Sequence, residues 1–167
     1  SAWSTYPAGP ALLRRLAEGA APRAAWSAMP AAPDDADWPD ALAEAARATL
    51  SGGRGSLLVV PDHRDLDRLD GALTRVLGAG RHVRLDASQG QQARYTAWLK
   101  VLRGHVHVAI GTRAAMFAPV RNLGLVAWWD DGDDLYVEPR APYPQVGTVL
   151  LHRAQVTGAG AISGGFA

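Results

Sequence analysis

The chain has 167 residues, 48% of them hydrophobic and 20% charged, with a formal net charge of +1. That balance describes one globular domain with a buried core and excludes a disordered tail. The absence of cysteine excludes disulfides, thiolate zinc sites and cysteine nucleophiles together.

No apolar run approaches the ~20 residues that cross a bilayer, and the N-terminus lacks the basic and apolar regions of a signal peptide. A soluble, cytoplasmic protein with no membrane partner is therefore expected. The chain opens at Ser1 without an initiating Met and closes at Ala167 just after a Gly-Gly pair, so a piece of a longer protein is expected.

Residues 1–22 read as a lead-in segment with a helix over about 10–18, stopped by Gly19. A strand follows at 23–29. The loop containing Pro30, Pro33, Asp34 and Asp35 leads to Asp37, a candidate N-cap. Trp38, Leu42, Ala45, Ala46 and Leu50 then recur at helical spacing until Ser51-Gly52-Gly53 ends the pattern.

Residues 57–60 are a continuous apolar strand broken by Pro61, after which Leu66, Leu69, Leu73, Val76 and Leu77 form a second helical stripe. A short strand is expected near 82–85. Tyr95, Trp98, Leu99 and Leu102 mark a helix closing at Gly104, followed by a strand over 105–110. Residues 123–129 are the next strand, Val146, Val149, Leu150 and Ala154 suggest a helix, and a last strand falls near Ala161 and Ile162. Strands that are apolar at consecutive positions and alternate with helices predict an α/β fold, a mostly parallel sheet flanked by helices on both faces.

The small net charge hides an asymmetry. Between residues 81 and 121 the basic residues are Arg81, Arg84, Arg94, Lys100, Arg103, Arg113 and Arg121, seven against the single acid Asp86, a formal +6. Asp130, Asp131, Asp133, Asp134 and Glu138 fall close together with no basic residue among them. The first stretch would attract phosphate and the second repel it, although both are equally readable as ordinary solvated faces. Lys100 is the only lysine among seventeen basic residues, so any chemistry that demands a lysine has one candidate.

In an open parallel sheet, ligands bind beyond the carboxyl ends of the strands. Here those positions are the loop after Met29, Pro61-Asp62, Gly111-Thr112-Arg113 and Trp129-Asp130-Asp131. The run Gly111-Thr112-Arg113-Ala114-Ala115-Met116-Phe117-Ala118-Pro119, followed by Asn122-Leu123-Gly124-Leu125, closely resembles a signature of the primosomal protein N′ (PriA) replication-restart helicase family. The resemblance takes in Val59-Val60-Pro61, Arg94, Trp98 and Gly104 upstream and Tyr136 and Pro142 downstream, covering roughly residues 56–165.

The resemblance implies the first RecA-like lobe of a helicase, a P-loop NTPase-like fold in which family members bind ATP and magnesium between two lobes and single-stranded DNA across them. It also implies a zinc module outside this chain. Residues 1–167 are then a single lobe, and Thr112 and Arg113 match the family position that approaches the DNA backbone. Thr112 would act through its hydroxyl and Arg113 through a charge-assisted bond. Pro61 matches a neighbouring DNA-side loop. The implied partners are single-stranded or forked DNA and the other primosome and replication-restart proteins.

Two departures set this chain apart. A phosphate-binding loop needs glycines for backbone N–H donors, a Lys for charge and a Ser or Thr for magnesium. The corresponding residues 29–37 contain none of these, and Pro30 and Pro33 remove donors while Asp34, Asp35 and Asp37 bring like charge. Where the family has an Asp-Glu-Glu-His box, ungapped alignment places Trp129, Asp130, Asp131 and Gly132, so a Trp stands for the metal-binding Asp. A shift by one restores Asp130 and puts Asp131 at the Glu position but misplaces Tyr136, and the His is lost in either register. The expectation is a DNA-binding and assembly lobe without ATPase chemistry and with no cofactor in this chain.

Two alternatives stay open: an active ATP-dependent helicase with a nonstandard loop, and a divalent-metal-dependent hydrolase built on Asp130 and Asp131. Three further features have both a functional and a structural reading. His105 and His107 share a strand face and could ligate a metal, or could simply border a partly buried strand. Gly158-Ala159-Gly160 resembles part of a dinucleotide loop but precedes a strand instead of following one. The six tryptophans read mainly as core, with Trp3 or Trp26 available for a partner surface.

Overall fold

Two apolar runs form the centre of the sheet. Gly55–Val59 (β2) and Leu123–Trp129 (β5) are buried at every position, which requires cover on both faces. The computed structural model describes residues 1–129 and 145–166. Arg23–Ala28 (β1), Val83–Leu85 (β3), Val108–Gly111 (β4) and Gly160–Phe166 (β6) complete a six-stranded sheet in the order β1-β6-β5-β2-β4-β3. All five pairings among the described residues are parallel, as the alternation of strands and helices predicts.

Successive side chains of β2 point to opposite faces, and so the core has two halves. Leu58 and Val60 face the helices Gly9–Ala17 (α1), Trp38–Ser51 (α2) and His63–Leu77 (α3), where Leu12, Leu16, Leu42, Leu66, Leu69 and Leu73 pack. Leu57 and Val59 face the helices Gln91–Leu102 (α4) and Val146–Thr157 (α5), which contribute Val101, Val146 and Leu150. A short 3-10 turn, Arg113–Ala115, adds Ala115 to this second half.

The helix boundaries follow local chemistry. Asp37 caps α2 in a reciprocal capping box with Asp40, and Asp62 caps α3 by accepting a bond from the Asp65 N–H at 2.8 Å. After α2 the chain turns through Gly53 at φ 77°, and after α4 through Gly104 at φ 72°, a region that L side chains rarely adopt.

Three expectations need correction. The strand expected over 105–110 begins only at Val108. The N–H groups of His105 and Val106 instead close the end of α4 by donating to the Lys100 carbonyl at 2.9 and 3.3 Å. His105 and His107 are therefore exposed residues of a connection and do not share a strand face. Trp3 and Trp26 offer no partner surface, being 2% and 8% exposed. Their rings lie 4.7 Å apart in the core half beneath α1 and α2.

The basic stretch also does not form one patch. Arg84 is drawn into an acidic network with Asp67, Asp70 and Asp86. Arg81 and Arg121 precede strands, and Lys100 and Arg103 end α4, so these four lie toward the amino-terminal edge of the sheet. Only Arg94 and Arg113 of the seven lie toward the carboxyl edge. Asp130, Asp131, Asp133, Asp134, Tyr136, Glu138 and Pro142 fall outside the described residues.

Candidate functional site

Because all the strands run the same way, their carboxyl ends meet at one edge. The loops after β1, β2, β3 and β4 and the last residues of β5 and β6 all reach it. The β2 and β4 ends are tied together, since the Val60 N–H donates to the Gly111 carbonyl at 3.0 Å. Pro61 and Thr112, the next residue of each chain segment, are thereby held side by side. The structure thus brings together Pro61, Thr112 and Arg113, as the sheet rule requires.

Gly111 explains how the Thr112–Arg113 turn is fixed. A Cβ at this position would lie 2.2 Å from the Leu85 carbonyl oxygen and 2.4 Å from Ala115 Cβ. Only glycine admits so close an approach of β3 and the 3-10 turn to β4. Ala115 N–H then donates to the Thr112 carbonyl at 2.8 Å, while the Thr112 hydroxyl makes no capping bond to the turn. Behind the turn, half-buried Arg153 of α5 donates to the Met116 carbonyl at 2.9 Å. Thr112 and Arg113 themselves are half-buried, and Phe117 is 58% exposed.

The β1 side of the same edge has a different character. In a phosphate-binding loop the N–H groups opening the helix point at the anion. Here the Asp37 carboxylate takes their place, accepting from the Trp38 N–H at 2.7 Å and from the Asp40 N–H in the capping box. Pro39 has no N–H, and the Ala41 N–H donates to the Asp37 carbonyl at 3.1 Å. The opening turn of α2 is fully committed before any ligand arrives.

Aromatic rings fill the space behind that turn. Trp38 stacks on Trp129, the last residue of β5, with centroids 4.6 Å apart and planes 7° apart. Trp129 also meets Trp26 of β1 at 5.6 Å and Phe166 of β6 edge-on at 5.1 Å. Gly164 makes room for this group on β6, because a Cβ there would lie 2.7 Å from the Trp26 ring and 3.1 Å from the Trp129 ring. On the outside, the Arg68 guanidinium sits 5.4 Å from the Trp38 ring and pairs with Asp37, and Arg75 pairs with Asp40 at 2.9 Å.

ATP, which the family resemblance implies together with magnesium, does not fit the described residues of this edge. The helix N–H groups are taken by an internal carboxylate. Asp34, Asp35 and Asp37 would face the phosphates, and Trp129, which stands at the metal-binding position in the ungapped register, is a buried indole. Lys100 cannot supply the missing charge, as it lies near the far end of α4. Among the described residues no group of three His, Asp or Glu is placed to hold a metal. Gly158 ends α5 in the left-handed conformation and Gly160 opens β6, which assigns the Gly-Ala-Gly run to a helix-to-strand turn.

A further charged cluster, not anticipated in the sequence, fixes the end of β3. Asp86 is fully buried and accepts from the Ser88 N–H at 2.7 Å, from the Ser88 hydroxyl and from Arg84 Nε at 2.7 Å. Burial pushes its carboxyl up, but the bonds from Ser88 and Arg84 outweigh it and hold the group at about 2. Arg84 is correspondingly pushed up: its bonds to Asp86 and Asp67 overcome the opposing effect of burial.

No family model matches the chain. Among curated proteins, a "Probable replication restart protein PriA" from Mycobacterium leprae is 46% identical over 166 residues, 99% of this chain and 25% of the relative. The chain is homologous to a segment of PriA.

The protein of the same name from Mycobacterium tuberculosis is 45% identical over the whole chain, again matching 25% of its length. The replication restart protein PriA of Chlamydia trachomatis is 33% identical over 84 residues, half of this chain and 11% of the relative. The chain thus spans about a quarter of the length of its mycobacterial PriA relatives.

Solved structures give the same fold. The helicase Lhr of Mycobacterium smegmatis, solved with ssDNA and AMP-PNP, superposes with a TM-score of 0.59 at 14% identity over 87% of this chain and 19% of Lhr. The C-terminal domain of the DEAD-box protein Dbp5 gives 0.56 at 18% identity over 89% of this chain and 78% of that domain. At these identities the likeness speaks for the fold alone, a mostly parallel sheet flanked by helices as the sequence predicts. Among the described residues no helix is long and apolar enough to cross a membrane.

Proposed function

We propose that this chain is the first RecA-like lobe of a PriA-like replication-restart protein, serving in DNA binding and primosome assembly without ATPase or helicase activity of its own. The single observation that carries the reading is the contrast along one sheet edge. The first turn of α2 is occupied by the Asp37 cap and backed by the Trp38–Trp129 stack, while the Gly-Thr-Arg turn is fully formed with Thr112 and Arg113 half-buried.

On this reading residues 1–167 form one lobe, with residues 1–22 as a lead-in that packs α1 against α2. Single-stranded or forked DNA runs over the β2 and β4 ends. Thr112 and Arg113 contact the backbone and Pro61 borders it. The remaining partners are primosome and replication-restart proteins in the cytoplasm. The chain uses no cofactor of its own, and the family's zinc module belongs elsewhere in the protein.

Fluorescence anisotropy with forked and single-stranded oligonucleotides tests this in the full-length protein. Arg113→Ala should cost about 1 to 3 kcal/mol of binding and lower the salt slope by about one, with the fold retained. Unchanged affinity and salt slope would make Arg113 a residue that merely holds its own turn.

A further inference from the structure

We infer that one face of α4, formed by Gln91, Arg94, Tyr95 and Trp98, is a stacking slot for an unpaired base of single-stranded DNA. The inference rests on the DNA-binding reading above and adds to it a contact that senses strandedness, which backbone contacts at Thr112 and Arg113 do not.

The four residues occupy positions i, i+3, i+4 and i+7 of one helix, so their side chains emerge on one face. Together they line an open surface depression of about 220 Å3. Drug-sized ligands fill about 300 to 1,000 Å3, so this space suits one small planar group. Its lining is made of flat groups: an amide, a guanidinium, a phenol and an indole. Aromatic and guanidinium faces stack on nucleobases whatever their sequence, and a side-chain amide can hydrogen-bond a base edge.

The inward side of α4 is complete without Tyr95. Ala97 and Val101 pack toward the sheet and Trp98 does so only in part, whereas Tyr95 is 64% exposed. An aromatic ring held in water beside a guanidinium has no role in the core. Arg94 has no carboxylate partner among the described residues. An acidic or purely aliphatic occupant is less suited than a base, because the slot offers a cation and two ring faces but no aliphatic wall.

Position connects the slot to the proposed DNA path. The helix starts just beyond the carboxyl end of β3, so its first turns lie toward the same edge as Thr112 and Arg113. Ala97, Trp98 and Val101 share one core half with Ala115 and Met116. The slot and the Gly-Thr-Arg turn are therefore on the same side of the sheet. Arg94 and Arg113, the two cations of the basic stretch at this edge, belong one to each, so a strand bound at the turn has a positively charged route to the slot.

The test compares oligo(dT) with a duplex of matched length in the full-length protein, using Tyr95→Ala, Tyr95→Phe and Arg113→Ala. Tyr95 is exposed, so its variants should fold, as circular dichroism would verify. Tyr95→Ala should weaken single-strand binding about tenfold, as expected for loss of one base stack, with duplex affinity and salt slope unchanged. Tyr95→Phe should bind as the parent does. A 5-iodouracil placed along the strand should photo-cross-link to Tyr95 or Trp98.

If Tyr95→Ala binds normally while Arg113→Ala is weakened, the slot is overturned and the DNA-binding reading stands. Equal losses on single strand and duplex also overturn it, since they reveal an effect indifferent to unpaired bases. If the parent protein binds neither substrate at low salt, the DNA-binding reading fails and the slot with it.

Discussion

Trp38 and Trp129 lie face to face, 4.6 Å between ring centroids, although one opens α2 and the other ends β5. Both rings are buried, and the pair ties the first turn of α2 to the end of β5. The stack is part of the buried core. Removing it should therefore cost stability, and Trp129→Ala should lower unfolding free energy by about 3 to 5 kcal/mol in urea titrations. Trp129→Asp should be at least as damaging, since it buries an unpaired charge without restoring a nucleotide site. A loss below ~1 kcal/mol for either variant would mean that the rings do not fill this region in solution.

Gly164 has the same test from the opposite side. An added Cβ would press on both the Trp26 and Trp129 rings. Gly164→Ala is expected to cost about 1 to 3 kcal/mol, the range for forcing atoms into a packed core. The near-ultraviolet circular dichroism of the tryptophans should change with it. A neutral effect on both would show that the aromatic group has slack.

Asp37 couples the cap of α2 to an ion pair with Arg68. Asp37→Ala should cost roughly 1 to 2 kcal/mol, the upper part of the N-cap range, because the Arg68 contact is lost as well. Thermal melts give the value. Asp37→Asn retains the cap acceptor and should recover most of it, which separates the cap from the ion pair.

Asp86 gives the account a pH dependence. Its carboxyl lies at about 2 in the folded chain against 3.8 ordinarily. A depressed carboxyl favours the folded state fully above its unfolded value. That contribution, on the order of 2 kcal/mol, is lost as pH falls from near 4 through 2. Unfolding free energy measured across this window should fall less steeply in Asp86→Asn than in the parent. Identical slopes would assign the acid sensitivity to other carboxylates.

Local chemistry made much of the fold legible. The Asp37 cap, the boundaries of β5 and the helix stops at Gly53 and Gly104 follow from side-chain type and hydrophobic spacing. What escaped the sequence depends on partners distant in the chain. Trp3 and Trp26 looked available because nothing local shows that α1 and α2 close over them. Arg84 looked available for phosphate because it lies on β3 while two of its acids, Asp67 and Asp70, lie on α3.

The split of the basic stretch between two sheet edges likewise needs the strand directions. That residues 29–37 lack Gly, Lys, Ser and Thr was readable from composition. That Asp37 caps α2 and that Trp38 stacks on Trp129 was not.

Isothermal titration of magnesium-ATP into the folded chain tests the central claim most directly. With the α2 N–H groups held by Asp37 and Trp129 stacked on Trp38, no saturable heat is expected up to millimolar nucleotide. Saturable binding below a millimolar dissociation constant, abolished by substitutions in residues 29–37, would contradict the account.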